Sequence, residues 1–280
     1  MKTLILLMIF AVAGLVGVPA AFAQSGGGPP AKAWAVTVGA APLIGPAFPG
    51  SDDYALSVFP DLRLNYKDKF FLSIPDGVGY NVVNTKNWRA GPLVKLRFGR
   101  DESSGGNPFI VAGDSDDLQG LGDVGPAGEA GGFLEYRGRR YGTRMELRQG
   151  FGAHDGWVAD IGASVRGFRK VPWLGPSFWS YGPRATFGSG DFVDPYFGID
   201  AGQSAASGLP EYSAGSGIVS AGFGGALVHP VNQRLAVTFF ANYDRFLGDT
   251  ADSPLITERG TENVFVLGMA VGYVFPFGGN

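Results

Sequence analysis

The sequence contains no cysteine, so disulfide bonds and thiolate metal ligands cannot stabilise the fold. Histidine is nearly as scarce, with two in 280 residues, which leaves few candidates for a general base. Charged residues make up 17% of the chain, against about 25% in an ordinary soluble domain. The formal net charge of −3 offers no basic footprint for nucleic acid, so we expect no nucleic-acid partner.

Long apolar runs are also missing, except for one at the start of the chain. Residues Leu4 to Val18 are almost all apolar, Lys2 precedes them, and Ala21-Phe22-Ala23 places small residues where a signal peptidase cleaves. A membrane-spanning helix needs roughly 20 apolar residues, so a helical membrane protein is excluded. We predict a signal peptide over residues 1–23, removed on export, and a flexible N-terminal segment over residues 24–32.

Glycine, with 46 residues, aromatic side chains, at 13%, and alternation with a period of two are abundant instead. Successive side chains of a β-strand point to opposite faces, so alternation predicts strands with one apolar face. The last segment shows it most clearly, because Phe265, Leu267 and Met269 alternate with small residues. The predicted strands lie near residues 33–42, 55–66, 69–82, 88–99, 128–137, 141–151, 157–168, 174–187, 215–228, 233–246 and 263–275.

The second face of many predicted strands is charged, which a closed protein core does not tolerate but a polar barrel lumen does. We therefore predict an all-β protein, a single-domain antiparallel transmembrane β-barrel over residues 33–275 with a short tail at 276–280. An antiparallel sandwich with one wet face is the alternative. Aromatic residues at segment ends, and the final Tyr273-Val274-Phe275, favour the barrel in a Gram-negative outer membrane.

The number of strands follows from an even-number rule. Bacterial single-chain barrels have even strand counts, and eleven segments are recognisable. A twelfth strand over Tyr196 to Ser204 is the preferred reading, and ten strands is the alternative.

The predicted lumen-facing charges carry both signs at spacings that place opposite charges near each other across strands. We predict that they form a charge lattice that fills the interior, with an anion path along the arginines as the alternative. The residues of this predicted lattice are Asp61, Arg63, Lys95, Arg97, Glu135, Arg137, Arg144, Glu146, Arg148, Asp160, Arg166 and Asp244.

Candidate catalytic, cofactor and metal motifs fail on context. His154 and His229 both lie in predicted turns, where a histidine is usually solvated, and no Gly-x-Ser-x-Gly elbow is present. The glycines of residues 120–125 match a dinucleotide fingerprint by letter, but no βαβ unit surrounds them. The acidic residues of 114–117 lack a correctly spaced glutamate for calcium. We predict no enzyme activity, no cofactor and no metal.

Four stretches resemble the MipA/OmpV family of outer-membrane proteins. They are Pro46-Ala-Phe-Pro-Gly-Ser-Asp-Asp-Tyr54, Gly99-Arg-Asp-Glu102, Gln203-Ser-Ala-Ala-Ser-Gly-Leu-Pro-Glu-Tyr212 and Leu247-Gly-Asp-Thr-Ala-Asp-Ser-Pro-Leu-Ile-Thr-Glu-Arg259. The resemblance implies an outer-membrane barrel that holds a lytic transglycosylase and a penicillin-binding protein near the cell wall. It implies no catalytic residues, and other members are described as adhesins.

The leading functional prediction is therefore a binding or scaffold protein for enzymes that synthesise and hydrolyse murein, embedded in outer-membrane lipid. The alternatives are a narrow channel for small solutes, an adhesin and, as the weakest, a lipid-modifying hydrolase. Specific binding is expected in the long connections at residues 43–53, 101–127, 188–214 and 247–262 or at the periplasmic rim of the barrel.

Overall fold

The computed structural model describes residues 33–278 except 75 and 104, so the predicted signal peptide and flexible N-terminal segment lie outside the described residues. The first strands are β1 (Trp34–Pro46), β2 (Tyr54–Tyr66), β3 (Phe70–Ser73), β4 (Gly77–Tyr80), β5 (Val83–Asn84), β6 (Trp88–Arg97) and β7 (Ile110–Ala112). They are followed by β8 (Ala127–Arg137), β9 (Tyr141–Gly152), β10 (Trp157–Val171), β11 (Gly175–Gly188), β12 (Gly217–Pro230), β13 (Leu235–Phe246) and β14 (Asn263–Phe277). The helices are α1 (Gly190–Phe197), α2 (Ala201–Ser207) and α3 (Pro254–Arg259).

The strands form one closed antiparallel barrel. β1 pairs with β2 on one edge and with β14 on the other, so the sheet has no free end strand. β4 and β5 both pair with β6 and together count as one strand of the barrel wall. β7 pairs only with the loop-end part of β2 and is not counted, so the fourteen strands form a wall of twelve. Closure matters energetically because a spanning sheet must satisfy all of its backbone hydrogen bonds internally. The predicted twelve-stranded barrel is confirmed.

The origin of the twelfth strand was predicted wrongly. Residues Tyr196 to Ser204 are not a strand, because they belong to α1 and α2. The extra strand comes instead from the segment 69–82, which folds into the short β3–β4 hairpin rather than one long strand. Asp200 begins α2 as its N-cap, and its side chain accepts a hydrogen bond from the Gln203 amide. This capping box competes successfully with strand formation.

The two ends of the barrel differ in the length of their connections. The short-turn end carries both ends of the described part of the chain and the connections at 67–69, 81–87, 138–140, 172–174 and 231–234. The loop end carries the connections at 47–53, 98–126, 153–156, 189–216 and 247–262. All three helices therefore belong to the loop end. None of the helices in the described part of the chain is long and apolar enough to span a bilayer.

The alternation predicted from the sequence separates the two faces of the wall. In β14, Phe265 and Leu267 are exposed on the outside of the barrel. Val264 and Val266, which alternate with them, are buried inside. Aromatic rings mark both ends of the outer surface, as expected where a barrel meets the membrane interfaces. The row near the short-turn end includes Trp34, Tyr66, Trp88, Tyr136, Tyr141, Tyr181 and Tyr273, and the row near the loop end includes Tyr54, Phe151, Trp157, Tyr243 and Phe265.

Candidate functional site

Arg148 in β9 is the centre of a buried ion-pair network on the inner face of the barrel. Its side chain is 2% exposed. Its Nε lies 2.7 Å from Glu129 Oε2, and its Nη1 lies 2.5 Å from Glu146 Oε2. Its Nη2 lies 2.6 Å from Asp160 Oδ2. One planar guanidinium with five N–H donors thus serves three carboxylates on three neighbouring strands.

Further pairs extend this arrangement along the wall formed by β6, β8, β9 and β10. We call the whole set the wall network. Its other pairs are Lys95–Glu146 at 2.7 Å, Arg97–Glu129 at 2.5 Å, Arg144–Glu146 at 2.7 Å, Arg144–Glu135 at 3.5 Å and Arg137–Glu135 at 2.8 Å. Lys95 on β6 reaches Glu146 on β9 across the intervening strand β8. The inward position of β8 between them is Gly131, which puts no side chain in the way.

Other predicted lattice residues lie away from the wall network. Asp61 and Arg63 pair with each other at 2.6 Å on β2. Asp244 on β13 pairs with Arg184 on β11, which was not among the predicted residues. Arg166 donates from Nη2 to the Tyr141 carbonyl at 3.4 Å, near the short-turn end. The structure thus places the predicted residues in several groups, and one continuous lattice stays a prediction.

Sequence reasoning missed Glu129, the most enclosed carboxylate of the wall network. Its side chain is fully buried, and Arg97, Arg148 and His154 all approach it. The signal was available, because Glu129 has the same strand parity as Glu135 and therefore points into the same lumen.

The prediction of a solvated turn histidine at position 154 was wrong. His154 is 2% exposed, and its Nε2 lies 3.3 Å from Glu129 Oε1. Its ring packs edge-on against Phe192 of α1, with the ring centroids 5.0 Å apart. The imidazole folds back over Gly150, where a Cβ atom would lie 2.0 Å from His154 Cε1. His154 can therefore be buried in this position only because residue 150 has no side chain.

Gly150→Ala is expected to push His154 away from Glu129 and to lower the free energy of unfolding by about 1–3 kcal/mol, because the added methyl group overpacks the site. Denaturant unfolding of the barrel in detergent measures the change. Gly128→Ala is the matched control, since it lies on the neighbouring strand and its Cβ would meet no atom within 4 Å. Equal effects of the two substitutions would contradict this account.

The lumen at the loop end is filled by α1, α2 and α3 together with the segments 47–53 and 98–126, which we call the plug. The Arg97 guanidinium of β6 lies 4.7 Å from the centre of the Phe192 ring of α1. On the far side, Phe197 of α1 packs against Phe246 of β13 with ring centroids 5.3 Å apart. β6 and β13 are six positions apart in a ring of twelve, so they face each other. α1 therefore spans the lumen from wall to wall.

The four stretches with family resemblance meet in this plug. Arg100 Nη1 donates to the Tyr196 carbonyl at 2.6 Å, and Ser253 Oγ donates to the Phe197 carbonyl at 2.6 Å. Arg259 at the end of α3 donates to the carbonyls of Asp117 and Ser207. The segment 46–54 adds Phe48, which is buried in the same apolar cluster as residues of 203–212 and 247–259. The resemblance thus marks the structure that closes the loop end.

Arg100 is the most unusual charged group in the plug. It is buried, and no carboxylate of the described residues lies within ion-pair distance of it. Burial disfavours a charge, and it lowers the pKa of Arg100 to about 10. Arg100 remains charged at neutral pH. Its one hydrogen bond to a carbonyl compensates only part of the free energy that burial of the guanidinium costs.

The remaining candidates for chemistry are incomplete. His229 Nδ1 lies 3.3 Å from Ser177 Oγ, but no carboxylate in the described part of the chain lies within ion-pair distance of that imidazole. A serine–histidine pair without an orienting acid lacks a third element of a hydrolase triad. On the loop end, the carboxylates of Asp52, Asp53 and Asp117 come within 4.8 Å of one another. Asp117 comes from the predicted acidic loop, but Asp52 and Asp53 are the partners that folding brings to it.

The two ends of the barrel carry opposite charge. The turns and strand ends at 67–69, 81–87, 138–140, 169–174 and 231–234 contain eight cationic residues and one carboxylate, Asp68. The five connections of the loop end contain 17 carboxylates and two arginines. The cationic residues of the short-turn end are Lys67, Lys69, Lys86, Arg139, Arg140, Arg169, Lys170 and Arg234. Partners of opposite charge are therefore expected at the two ends.

Comparison with known proteins gives one family. The family model described as MltA-interacting protein MipA matches residues 38–275. No curated protein sequence matches the chain. Among solved structures, the NanC porin is similar at 8% identity, covering 85% of this chain and 98% of that one, with a TM-score of 0.41. An outer membrane channel from Pseudomonas putida F1 is similar at 13% identity, with coverages of 88% and 97% and a TM-score of 0.41. The outer membrane protein OprG from Pseudomonas aeruginosa is similar at 11% identity, with coverages of 89% and 99% and a TM-score of 0.23.

Proposed function

Since the chain belongs to the MltA-interacting protein MipA family and is an outer-membrane β-barrel, we propose that it is a scaffold that binds cell-wall enzymes at its periplasmic rim. The observation that carries the proposal is the family match over residues 38–275, because the family description names MltA, a lytic transglycosylase, as a partner. A bifunctional penicillin-binding protein is the second proposed partner. It would place a wall-building enzyme beside a wall-cleaving one.

The orientation of the barrel supports the use of the short-turn end for this purpose. Bacterial outer-membrane barrels keep short turns and both termini in the periplasm and longer loops outside. Enzymes of the cell wall act in the periplasm, so they can reach only the short-turn end. That end carries the excess of cationic residues, which attracts acidic protein surfaces and accelerates their association.

The plug argues against the alternative of a constitutively open channel. α1 contacts β6 and β13 on opposite walls, so solutes have no straight path through the loop end. A hydrolase is disfavoured because the buried His154 and the acid-free His229 leave no complete triad in the described part of the chain. Adhesion would use the acidic loop end, which no wall enzyme reaches.

A direct binding measurement tests the scaffold. Immobilised, folded barrel in detergent is expected to capture a purified MltA-type lytic transglycosylase saturably, with a Kd of about 1 µM or tighter, and to capture a bifunctional penicillin-binding protein in the same assay. The experiment uses no peptidoglycan, so capture reports protein–protein contact alone. A heat-denatured barrel and an unrelated outer-membrane porin serve as controls. If the folded barrel captured neither enzyme, the scaffold proposal would be rejected.

A further inference from the structure

The β10–β11 hairpin projects beyond the β8–β9 turn at the short-turn end. β10 and β11 stay paired out to Val171↔Gly175, but β9 stops pairing with β10 at Tyr141↔Val165. On the other side, β12 pairs with β11 only up to Val228↔Phe178. At about 3.3 Å per residue, the last β10–β11 pair lies roughly 20 Å beyond the last pair with β9, measured along the strand. The hairpin therefore extends past the aromatic row that includes Tyr141 and Tyr181.

Trp173 forms the tip of this hairpin and contributes nothing visible to folding. Its side chain is 98% exposed, so it buries no apolar surface. Its backbone has a φ of +52°, a left-handed conformation that disfavours any residue with a Cβ atom. Glycine or asparagine suits such a turn position better. A large indole that is exposed and conformationally disfavoured is expected where it contacts a ligand.

Exposed cationic residues lie on this hairpin and on the neighbouring β8–β9 turn. Arg169 and Lys170 are exposed on the hairpin, and Arg139 and Arg140 form the adjacent β8–β9 turn. The β8–β9 turn is joined to β10 by a hydrogen bond from the Arg166 amide to the Arg140 carbonyl at 2.8 Å. No carboxylate of the described residues lies within ion-pair distance of these four side chains. Their charge is therefore available to an external anion.

An open cleft of about 450 Å³ is formed by the β8–β9 turn. Arg139 and Arg140 line it together with Gly138 and two aromatic rings, Tyr136 and Tyr141. Cationic groups and flat apolar rings thus occur together in a concave surface. This combination suits a ligand that presents both carboxylates and sugar rings, because cations pair with carboxylates and ring faces cover the apolar faces of sugars.

We propose that this surface, formed by the β10–β11 hairpin and the β8–β9 turn, binds an anionic glycan that carries carboxylate-bearing peptides, which is the chemistry of peptidoglycan. Trp173 stacks on a sugar ring, while Arg169, Lys170, Arg139 and Arg140 pair with the peptide carboxylates. The periplasmic orientation of the short-turn end presents the surface to the wall. Anionic lipid headgroups are the competing ligand, because Tyr136 and Tyr141 belong to the aromatic row at the membrane interface, whereas Trp173 lies beyond that row. This inference does not depend on enzyme binding.

Cosedimentation with purified, insoluble peptidoglycan sacculi tests the proposal with the intact barrel in detergent. The Arg169→Glu/Lys170→Glu double variant is expected to reduce the bound fraction at subsaturating sacculi about tenfold, because it replaces attraction with repulsion. Trp173→Ala is expected to reduce binding roughly threefold to fivefold through loss of ring contact. Amidation of the sacculus carboxylates, or an increase in salt from about 0.05 to 0.5 M, should weaken binding to the wild type.

The matched control is Lys67→Glu/Lys69→Glu. The β2–β3 turn lies six positions from the β10–β11 turn in the ring of twelve, on the opposite side of the same rim, and the charge change is identical. This control should bind as the wild type does. Equal losses in both double variants would reduce the proposal to nonspecific charge attraction and overturn it. Binding to phosphatidylglycerol vesicles but not to sacculi would overturn it in favour of lipid, and unchanged binding by Trp173→Ala and Arg169→Glu/Lys170→Glu would overturn it outright.

Discussion

Replacing Arg148 with alanine should lower the free energy of unfolding by about 3–5 kcal/mol, the usual cost of removing one partner from a buried ion pair. The substitution leaves three carboxylates, those of Glu129, Glu146 and Asp160, without their shared guanidinium. Glu129 and Glu146 are almost fully buried, so water cannot replace the lost donors. Denaturant unfolding of the folded barrel in detergent or lipid vesicles measures the effect.

Two comparison variants make this result specific. Arg234→Ala removes the same residue type from an exposed turn at the short-turn end and should change the unfolding free energy by no more than about 0.5 kcal/mol. Arg148→Lys retains the charge but not the planar fork of donors, so only part of the stability should return. A loss below about 1 kcal/mol for Arg148→Ala would mean that the wall network does not stabilise the barrel.

Replacing residues 190–214 with a short Gly/Ser linker should convert a closed barrel into a conducting one. The replaced segment contains α1 and α2, and α1 is the element that contacts both β6 and β13. β11 and β12 remain antiparallel neighbours, so a short hairpin connection can join them. In planar bilayers we expect the wild type to stay at baseline and the variant to show discrete conductance steps.

A full-length loop with two of its four carboxylates neutralised is the control for the deletion. Asp191→Asn/Glu211→Gln keeps the length and the helices, so the plug should remain and the conductance should stay at baseline. Conductance in the wild type would show that the plug does not close the lumen. A folded deletion variant without conductance would show that the wall network and the remaining loops close it without α1.

The strands were predictable because alternation is a local property. Each strand of the membrane wall needs an apolar outer face, so its residue types repeat with a period of two whichever strand lies beside it. Residues 69–82 were mispredicted because a hairpin preserves the alternation on each of its two short arms. Residues 196–204 were mispredicted because the capping pair of Asp200 and Gln203 was not weighed against strand formation.

The candidate site was predictable only in part. Strand parity assigned Arg148, Glu146 and Asp160 to the inner face, but it does not specify which charges meet. Lys95 reaches Glu146 two strands away because Gly131 leaves the intervening position empty. His154 is buried because Gly150 provides room for its ring. The first contact depends on the register between strands, and the second on how the β9–β10 connection folds back, and the residue types alone specify neither.

The sequence by itself determined the class of this protein, an exported barrel without cysteine, and the faces of its strands, because composition and alternation act locally. Only the tertiary structure decided that the loops fill one end and that charge separates along the barrel axis. The net charge of −3 conceals this separation, since the loop end holds 17 carboxylates and the short-turn end holds eight cationic residues. Closure of the sheet brings turns that are distant in sequence together on one rim. The net charge of that rim therefore depends on the fold and not on the order of residues along the chain.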